Sequence, residues 1–288
     1  MRSVVLPVLF SLAVSVSPAM ATDEPANSDG GGSFRVGLVE RDDLDETTLG
    51  AVRDALSRAL GLKIEIVLAR DQTAMIDAAA AGQVDYGVYS ALAYATAWRL
   101  CACMEPLLAP LGADGSAGIR AVLIEEVDAA EERLIAVMAE YSVPTAHPGK
   151  IDMGPEWTIV ETTSMEKAER LFADGEAGAL SGWEAVDEKG EAIAGGTLAR
   201  LAAAGIDGSR LRVVRRSDPV PYGPHAVRRT LPGQVKKALG EFLVSLGEDH
   251  TRLRDALEPR LTGPFRPVVH DDYRHAIDAV KSIAERDG

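Results

Sequence analysis

The chain has 288 residues, 47% of them hydrophobic, and carries 44 acidic against 30 basic side chains for a net charge of −14. A chain this acidic repels nucleic acid and anionic membranes, which excludes both as partners. The length suits one large domain or two small ones with a substantial core. A small anionic ligand stays admissible, because a cluster of backbone amides binds an anion even inside an acidic protein.

The chain opens on a targeting pattern. Arg2 precedes an apolar run, Val4–Val16, and Ala19-Met20-Ala21 has the form of a cleavage site. The run is too short for a permanent anchor, so residues 1–21 are expected to be a signal peptide and the protein to be periplasmic. Residues 22–33 are polar and glycine-rich, the composition of a disordered leader.

From Phe34 the periodicity becomes regular. Phe34–Val39 predicts a buried strand. Asp43 with Glu46 has the form of a capping box, Leu49, Val52, Leu56 and Leu60 share a helical face, and Gly61 supplies a left-handed stop. Lys63–Leu68 predicts a second strand, and Asp71 caps a second helix that ends at Gly82. Val84–Tyr89 is the third strand, running straight into a helix over Ser90–Leu100 with Ser90 as its N-cap.

Strand and helix alternate with short joints, which predicts a parallel sheet with helical crossovers. Ligands collect at the carboxyl ends of the strands of such a sheet. That places Glu40, Ala69 and Tyr89-Ser90 along one edge of a cleft. The helix opening at Ser90 offers a small anion its free amides and its positive dipole end. The phenols of Tyr89 and Tyr94 flank that spot as donors.

Cys101 and Cys103 stand one residue apart, with no His or Cys nearby at a familiar ligand spacing. Three readings are open: a tight local disulfide, two buried thiols without a role, or a thiolate pair for a soft metal or metalloid. Glu105–Pro110 holds two prolines and reads as an extended crossing.

A second α/β region follows. Strands are expected at Ile119–Glu125, Arg133–Met138, Ala177–Leu180 and Leu211–Arg215, helices near Met165–Ala173 and Thr197–Ala204, and a turn at Ala139–Pro144. Ser217–Pro224 is a proline-rich return crossing, and helices over Gln234–Leu246, Arg252–Leu257 and Asp272–Ala284 close the chain. The plan is an α/β protein of two lobes, each a mainly parallel sheet flanked by helices, joined by two extended hinge crossings. Residues 34–110 form the first part of lobe 1, 111–216 lobe 2, and 217–288 the hinge return with the rest of lobe 1. Such a cleft closes by hinge motion around a small ligand.

Several runs carry a family resemblance: Gly61–Glu65, Ala81–Tyr89 with Ala93-Tyr94, Asp174–Ala179, Ser217–Pro221, Pro224–Arg228, Phe265–Val268 and Asp272-Tyr273. In this order the chain resembles the substrate-binding proteins of phosphate, phosphite and phosphonate ABC transporters. The resemblance implies a type II periplasmic-binding fold, a small oxyanion as ligand and delivery to an ABC permease in the inner membrane. It also implies that a tyrosine after the third strand and a Ser/Thr-rich helix N-terminus in the second lobe hold the anion. Tyr89 fills the first role, and the second is reduced to Tyr141-Ser142-Val143-Pro144-Thr145, leaving Ser142 and Thr145 as candidates.

Neutral donors suit an oxyanion better than a buried countercharge, which is costly to desolvate. Trp183 and Glu184, just past Ala177–Leu180, are expected to face the cleft, with Glu184 either accepting an ammonium or hydroxyl from the far end of the ligand or solvating a helix start. Tyr222 and His225 on the return crossing either reach the cleft or serve the hinge.

Catalysis finds no support. Leu180-Ser181-Gly182 lacks the glycine that a nucleophile elbow needs two residues before its serine. No zinc-protease motif and no phosphate-binding glycine loop with lysine occurs, so no catalytic residue, metal or cofactor is expected. A monomer is expected. The alternative readings are a periplasmic sensor serving a membrane histidine kinase, or a binder of a different anion or metalloid oxyanion. Mass spectrometry of the exported protein should show an N-terminus at Thr22; a retained Met1 would contradict the export signal.

Overall fold

Phe34, Val36 and Leu38 alternate along the strand Phe34–Val39 (β1), all three are buried, and they seed the first of two sheets. The computed structural model describes residues 32–127, 134–138, 158–246 and 251–284. Asp45 caps the helix Glu46–Leu60 (α1) by accepting the Thr48 N–H, and Gly61 ends it at φ +67°. The cap is therefore Asp45; Asp43 pairs with Arg41 instead.

The strand Ile64–Ala69 (β2) runs parallel to β1, and Asp71 caps the helix Gln72–Ala80 (α2) as expected. A three-residue strand, Tyr86–Val88 (β3), lies on the other side of β1. The Ser90 hydroxyl accepts the Ala93 N–H and opens the helix Ala91–Cys101 (α3). Cys101 and Cys103 are joined as a disulfide around the helix end, where Ala102 takes φ +46°.

Glu105–Pro110 is not a crossing but belongs to a strand of the first sheet, Met104–Pro110 (β4). Its proline at 106 is tolerated because a register shift falls between its partner Ala226 and His225. The outward crossing is the segment 111–117. The second sheet then begins with Gly118–Glu126 (β5), Leu134–Met138 (β6) and Thr158–Thr162 (β7), the last a strand the periodicity did not announce. The helix Met165–Ala173 (α4), the strand Ala179–Val186 (β8), the helix Gly196–Ala203 (α5) and the strand Leu211–Arg216 (β9) complete it. The expected turn at Ala139–Pro144 lies outside the described residues.

The return crossing carries a two-residue strand, Val220–Pro221 (β10), that pairs with Ile119 and Gly118 of β5. It delivers the strand His225–Arg228 (β11) into the first sheet between β3 and β4, antiparallel to both. The helices Gly233–Ser245 (α6) and Thr251–Leu257 (α7), the strand Phe265–Pro267 (β12) and the helix Arg274–Ala284 (α8) follow.

Both sheets are mixed. The first has the order β12-β4-β11-β3-β1-β2, the second β10-β5-β8-β6-β7 with β9 also on β5. Helices α2, α3 and α8 cover one apolar cluster of the first sheet and α1, α6 and α7 another, while α4 and α5 cover a third on the second sheet. No helix among the described residues is long and apolar enough to cross a membrane.

One buried carboxylate ties the middle of the first sheet. Asp85 accepts the Arg35 N–H at 3.0 Å and two guanidinium bonds from Arg35 at 2.8 and 2.9 Å. The Arg228 guanidinium stands 3.4 Å from it and donates to the carbonyls of Ala79 and Val84. The hydrogen bond to Asp85 raises the Arg35 pKa.

Gly223 presses the return crossing onto the β3–α3 joint. A Cβ there would lie 1.9 Å from the Tyr89 carbonyl oxygen and 2.7 Å from Ser90 Cα, both backbone atoms that do not yield easily. Gly223→Ala should lower unfolding stability by about 1–3 kcal/mol through overpacking. Gly50→Ala, in α1 with open space around its added carbon, should raise stability by ~0.5–1 kcal/mol. Urea unfolding of both variants checks the contrast, and equal midpoints would refute the close approach.

Candidate functional site

Where β3 stops and α3 starts, the first amides of the helix have no partner within it. Ser90, Ala91 and Leu92 form one wall of a cavity of about 320 Å³ at this point. The facing walls come from Ile119 on β5, from Val220–Gly223 of the return crossing, and from Glu258, Arg260 and Leu261 after α7. The cavity thus sits between the N-terminus of α3, the return crossing, the start of β5 and the loop after α7.

Tyr222 brackets the two crossings beside it. Its N–H donates to the Ala117 carbonyl at 3.1 Å, and its hydroxyl lies 2.8 Å from Ser116 Oγ. Ser116 in turn bonds Asp114 at 2.6 Å, and its donors hold the Asp114 carboxyl below the usual carboxylate range. Because the Ser116 hydroxyl donates to Asp114, the Tyr222 phenol is the donor to Ser116. The Tyr273 hydroxyl clamps Tyr222 from α8's side by donating to its carbonyl at 2.8 Å.

The 258–263 loop is held by Arg254, a buried cation on α7. Its guanidinium donates to the carbonyls of Leu246, Leu261 and Gly263 and lies 4.8 Å from the centre of the Phe265 ring. Glu258, also buried, accepts the Arg260 N–H at 3.1 Å. Its other oxygen faces His225 Nε2 at 3.8 Å. His225 Nδ1 is 2.7 Å from the Tyr86 hydroxyl, and burial pushes the His225 pKa down, so the ring is neutral. At 3.8 Å the pair is an electrostatic contact and no hydrogen bond.

The candidates from the sequence are scattered around this cavity. Ser90 and Tyr222 line it. Tyr89 does not: its ring folds back over Gly87, with its hydroxyl 3.1 Å from where a Cβ on that glycine would be. The hydroxyl is buried with no hydrogen-bond partner among the described residues, and burial raises its pKa. Tyr94 is also turned away, its hydroxyl 2.9 Å from His270 Nδ1 and its ring against Tyr273. Glu40 is exposed at the end of β1 and lines a separate hollow with Arg41 and Arg70.

Trp183 and Glu184 lie inside β8, because that strand runs on to Val186. The Trp183 ring lies beneath the Arg200 guanidinium, at 5.6 Å. Glu184 is buried between two arginines, bonded to Arg120 and, at 2.9 Å, to Arg216. Both bonds fall on its Oε1, which ties Glu184 to the two arginines within the second sheet. His225 sits in the core behind Glu258. Ser142 and Thr145 lie outside the described residues.

Sequence reasoning missed Glu258, Arg260 and Ile119. Glu258 follows the last turn of α7 in an ordinary Leu-Glu-Pro-Arg-Leu run. Only its tertiary setting against His225 marks it. Ile119 was read as a strand residue and nothing more.

The description "ABC transporter, phosphonate, periplasmic substrate-binding protein" matches residues 39–137 and 185–273. No curated protein matches the sequence at a significant level. Among solved structures, XAC2383 from Xanthomonas citri, bound to chloride ion, superposes with a TM-score of 0.59 at 14% identity, covering 88% of this chain and 99% of that one. PhnD1 from Prochlorococcus marinus in complex with methylphosphonate gives a TM-score of 0.49 at 10% identity, over 88% and 99% of the two chains. The first of these likenesses supports the two-sheet fold.

The unpaired Tyr89 phenol generates a stability prediction. A buried hydroxyl without a partner costs about 1–3 kcal/mol in desolvation. Tyr89→Phe should therefore leave stability unchanged or raise it by up to ~1 kcal/mol. Thermal or urea unfolding checks this, and a clear loss of stability would mean that the hydroxyl makes a bond.

Proposed function

The chain belongs to the periplasmic substrate-binding proteins of phosphonate ABC transporters, and from that premise we propose that it captures a small phosphonate-, phosphate- or phosphite-like oxyanion at the N-terminus of α3. The observation that carries the reading is the cavity itself, which joins that helix N-terminus to the return crossing and to the start of β5. Helix amides and the positive dipole end favour negative charge there without burying a bare cation. Arg260, exposed at the rim, adds attraction.

In this reading the segment 34–110 with 217–288 is one lobe and 111–216 the other, and the two close over the ligand about the Tyr222–Ser116 bracket. Ser142 and Thr145 are the second lobe's donors by resemblance. Closure hides the anion from water and presents the closed form to an inner-membrane permease. The protein works as an exported monomer without catalysis, after loss of the leader near Ala21.

A thermal-shift screen tests the assignment. Ligand at a hundred times its Kd adds about 2.7 kcal/mol of stability, a shift of roughly 5–10 °C for a chain of this size. Methylphosphonate, phosphite or phosphate is expected to give such a shift, with closure visible as a smaller radius of gyration. Absence of any shift with all three would refute the ligand class.

A further inference from the structure

We propose that Cys101–Cys103 is a redox-active pair, which a protein dithiol opens by thiol–disulfide exchange at Cys101 while the chain stays folded. The inference goes beyond the oxyanion reading and does not depend on it. It stands on where the two sulfurs lie and on the backbone between them.

The disulfide joins residues only two apart in sequence. A ring this small removes little entropy from the unfolded chain, so the bond adds little to folding. Nor does it staple distant elements together, because it links the last residue of α3 to the residue before β4. Other contacts hold that joint. The Ala102 N–H donates to the Trp98 carbonyl, the Arg229 N–H donates to the Cys103 carbonyl at 2.9 Å, and β4 pairs with β11 and β12. The fold therefore survives opening of the bond.

Ala102 is the one non-glycine residue with a positive φ among the described residues, at +46°. A side chain in this left-handed region is strained, and helix ends of this shape usually carry glycine. The closed ring keeps Ala102 there, and opening it frees the residue to leave. Strained or exposed disulfides are the ones that exchange.

The surroundings suit both redox states. Cys101 is half-buried beside Leu100, which is 60% exposed, whereas Cys103 packs against the apolar cluster under α2, α3 and α8. Cys101 is thus the sulfur within reach. A thiolate of the partner bonds to Cys101 Sγ, the Sγ–Sγ bond breaks, and its electron pair leaves on Cys103. Two guanidiniums stand near enough to stabilise that thiolate. Arg228 donates to the Ala79 carbonyl, which Cys103 Sγ approaches at 3.5 Å, and Arg229 donates to the Ala102 carbonyl at 2.9 Å.

The partner's second thiolate then bonds to the partner's own sulfur in the mixed disulfide. Cys101 leaves as a thiolate that accepts the Cys103 N–H at 3.3 Å. Two electrons and two protons have passed to the pair, which ends as two thiols, and the partner ends as a disulfide. Each thiol already has an acceptor: the Ala97 carbonyl lies 3.4 Å from Cys101 Sγ, and the Ala79 carbonyl serves Cys103.

Incubation of the folded full chain with an equal amount of reduced thioredoxin tests this, with free thiols alkylated and counted by mass spectrometry. More than half of the chain should gain two alkyl groups at equilibrium, with its circular dichroism unchanged. A thioredoxin lacking its second cysteine should be trapped as a mixed disulfide on Cys101. Ala102→Gly relieves the strain of the closed ring and should shift the exchange constant toward the disulfide by about fivefold.

A disulfide that thioredoxin opens only in denaturing urea overturns the proposal, whatever the variant does. Trapping on Cys103 overturns it too, as does an exchange constant that a folded Ala102→Gly leaves unchanged. None of these results touches the oxyanion site.

Discussion

The return crossing passes so close to the β3–α3 joint that no side chain fits between them at Gly223. Much of the molecule depends on that approach. The Tyr89 N–H donates to the Pro224 carbonyl at 3.1 Å, which starts the pairing of β11 with β3. Once β11 is seated between β3 and β4, His225 is fixed in the core and Tyr222 is fixed at the cavity edge. The N-terminus of α3 then faces the crossings instead of open sheet surface. A chain reversal inside a sheet is entropically expensive because it joins residues far apart in sequence. Here it is stabilised by the ladder bonds of β11 and by the Asp85 carboxylate, which Arg35 and Arg228 approach from the strands on either side.

Two arginines, Arg254 buried and Arg228 half-buried, do parallel work. Arg228 ties β11 to the end of α2 through the Ala79 and Val84 carbonyls, and Arg254 ties the loop after α7 to its own helix and to Gly263. A guanidinium is suited to this because its five donors satisfy several carbonyls at fixed angles. Lysine would carry the charge without the geometry. Without Arg254, nothing else among the described residues binds the Leu261 and Gly263 carbonyls from that side, and the wall that carries Glu258 and Arg260 would lose its anchor.

The first sheet was readable because its rules are local. Asp71, Ser90 and Gly61 act at their helix ends as capping chemistry requires, and the apolar faces of α1 and α2 follow the helical period. What failed was non-local. Glu105–Pro110 was misread because two prolines argue against an interior strand, and only the register shift opposite Ala226 makes one possible. Asp43 and Asp45 are both plausible caps, and Arg41 takes one of them out of play. Strand-end logic put Ser90 at the cavity wall, where it stands, because that place depends on backbone position. It could not show that Tyr89, Tyr94 and Glu184 turn away from the cavity, because their side-chain directions are set by Gly87, His270 and two arginines from elsewhere in the chain. Glu258 gave no signal because a glutamate after a helix is ordinary until a buried histidine stands behind it.

An anion site in a protein of net charge −14 needs an explanation in terms of range. At physiological ionic strength, charges more than ~8 Å apart across water are largely screened, so the acidic surface contributes little inside a cavity walled by Val220, Pro221 and Leu261. What counts there is the handful of dipoles and charges in direct contact. The N-terminus of α3 and Arg260 line the same small volume. An all-cationic lining would bind every anion; an all-amide lining would bind them weakly and without preference. A lining of helix amides with one guanidinium at the rim draws a small anion at short range, and the screened charge outside neither adds to that pull nor cancels it.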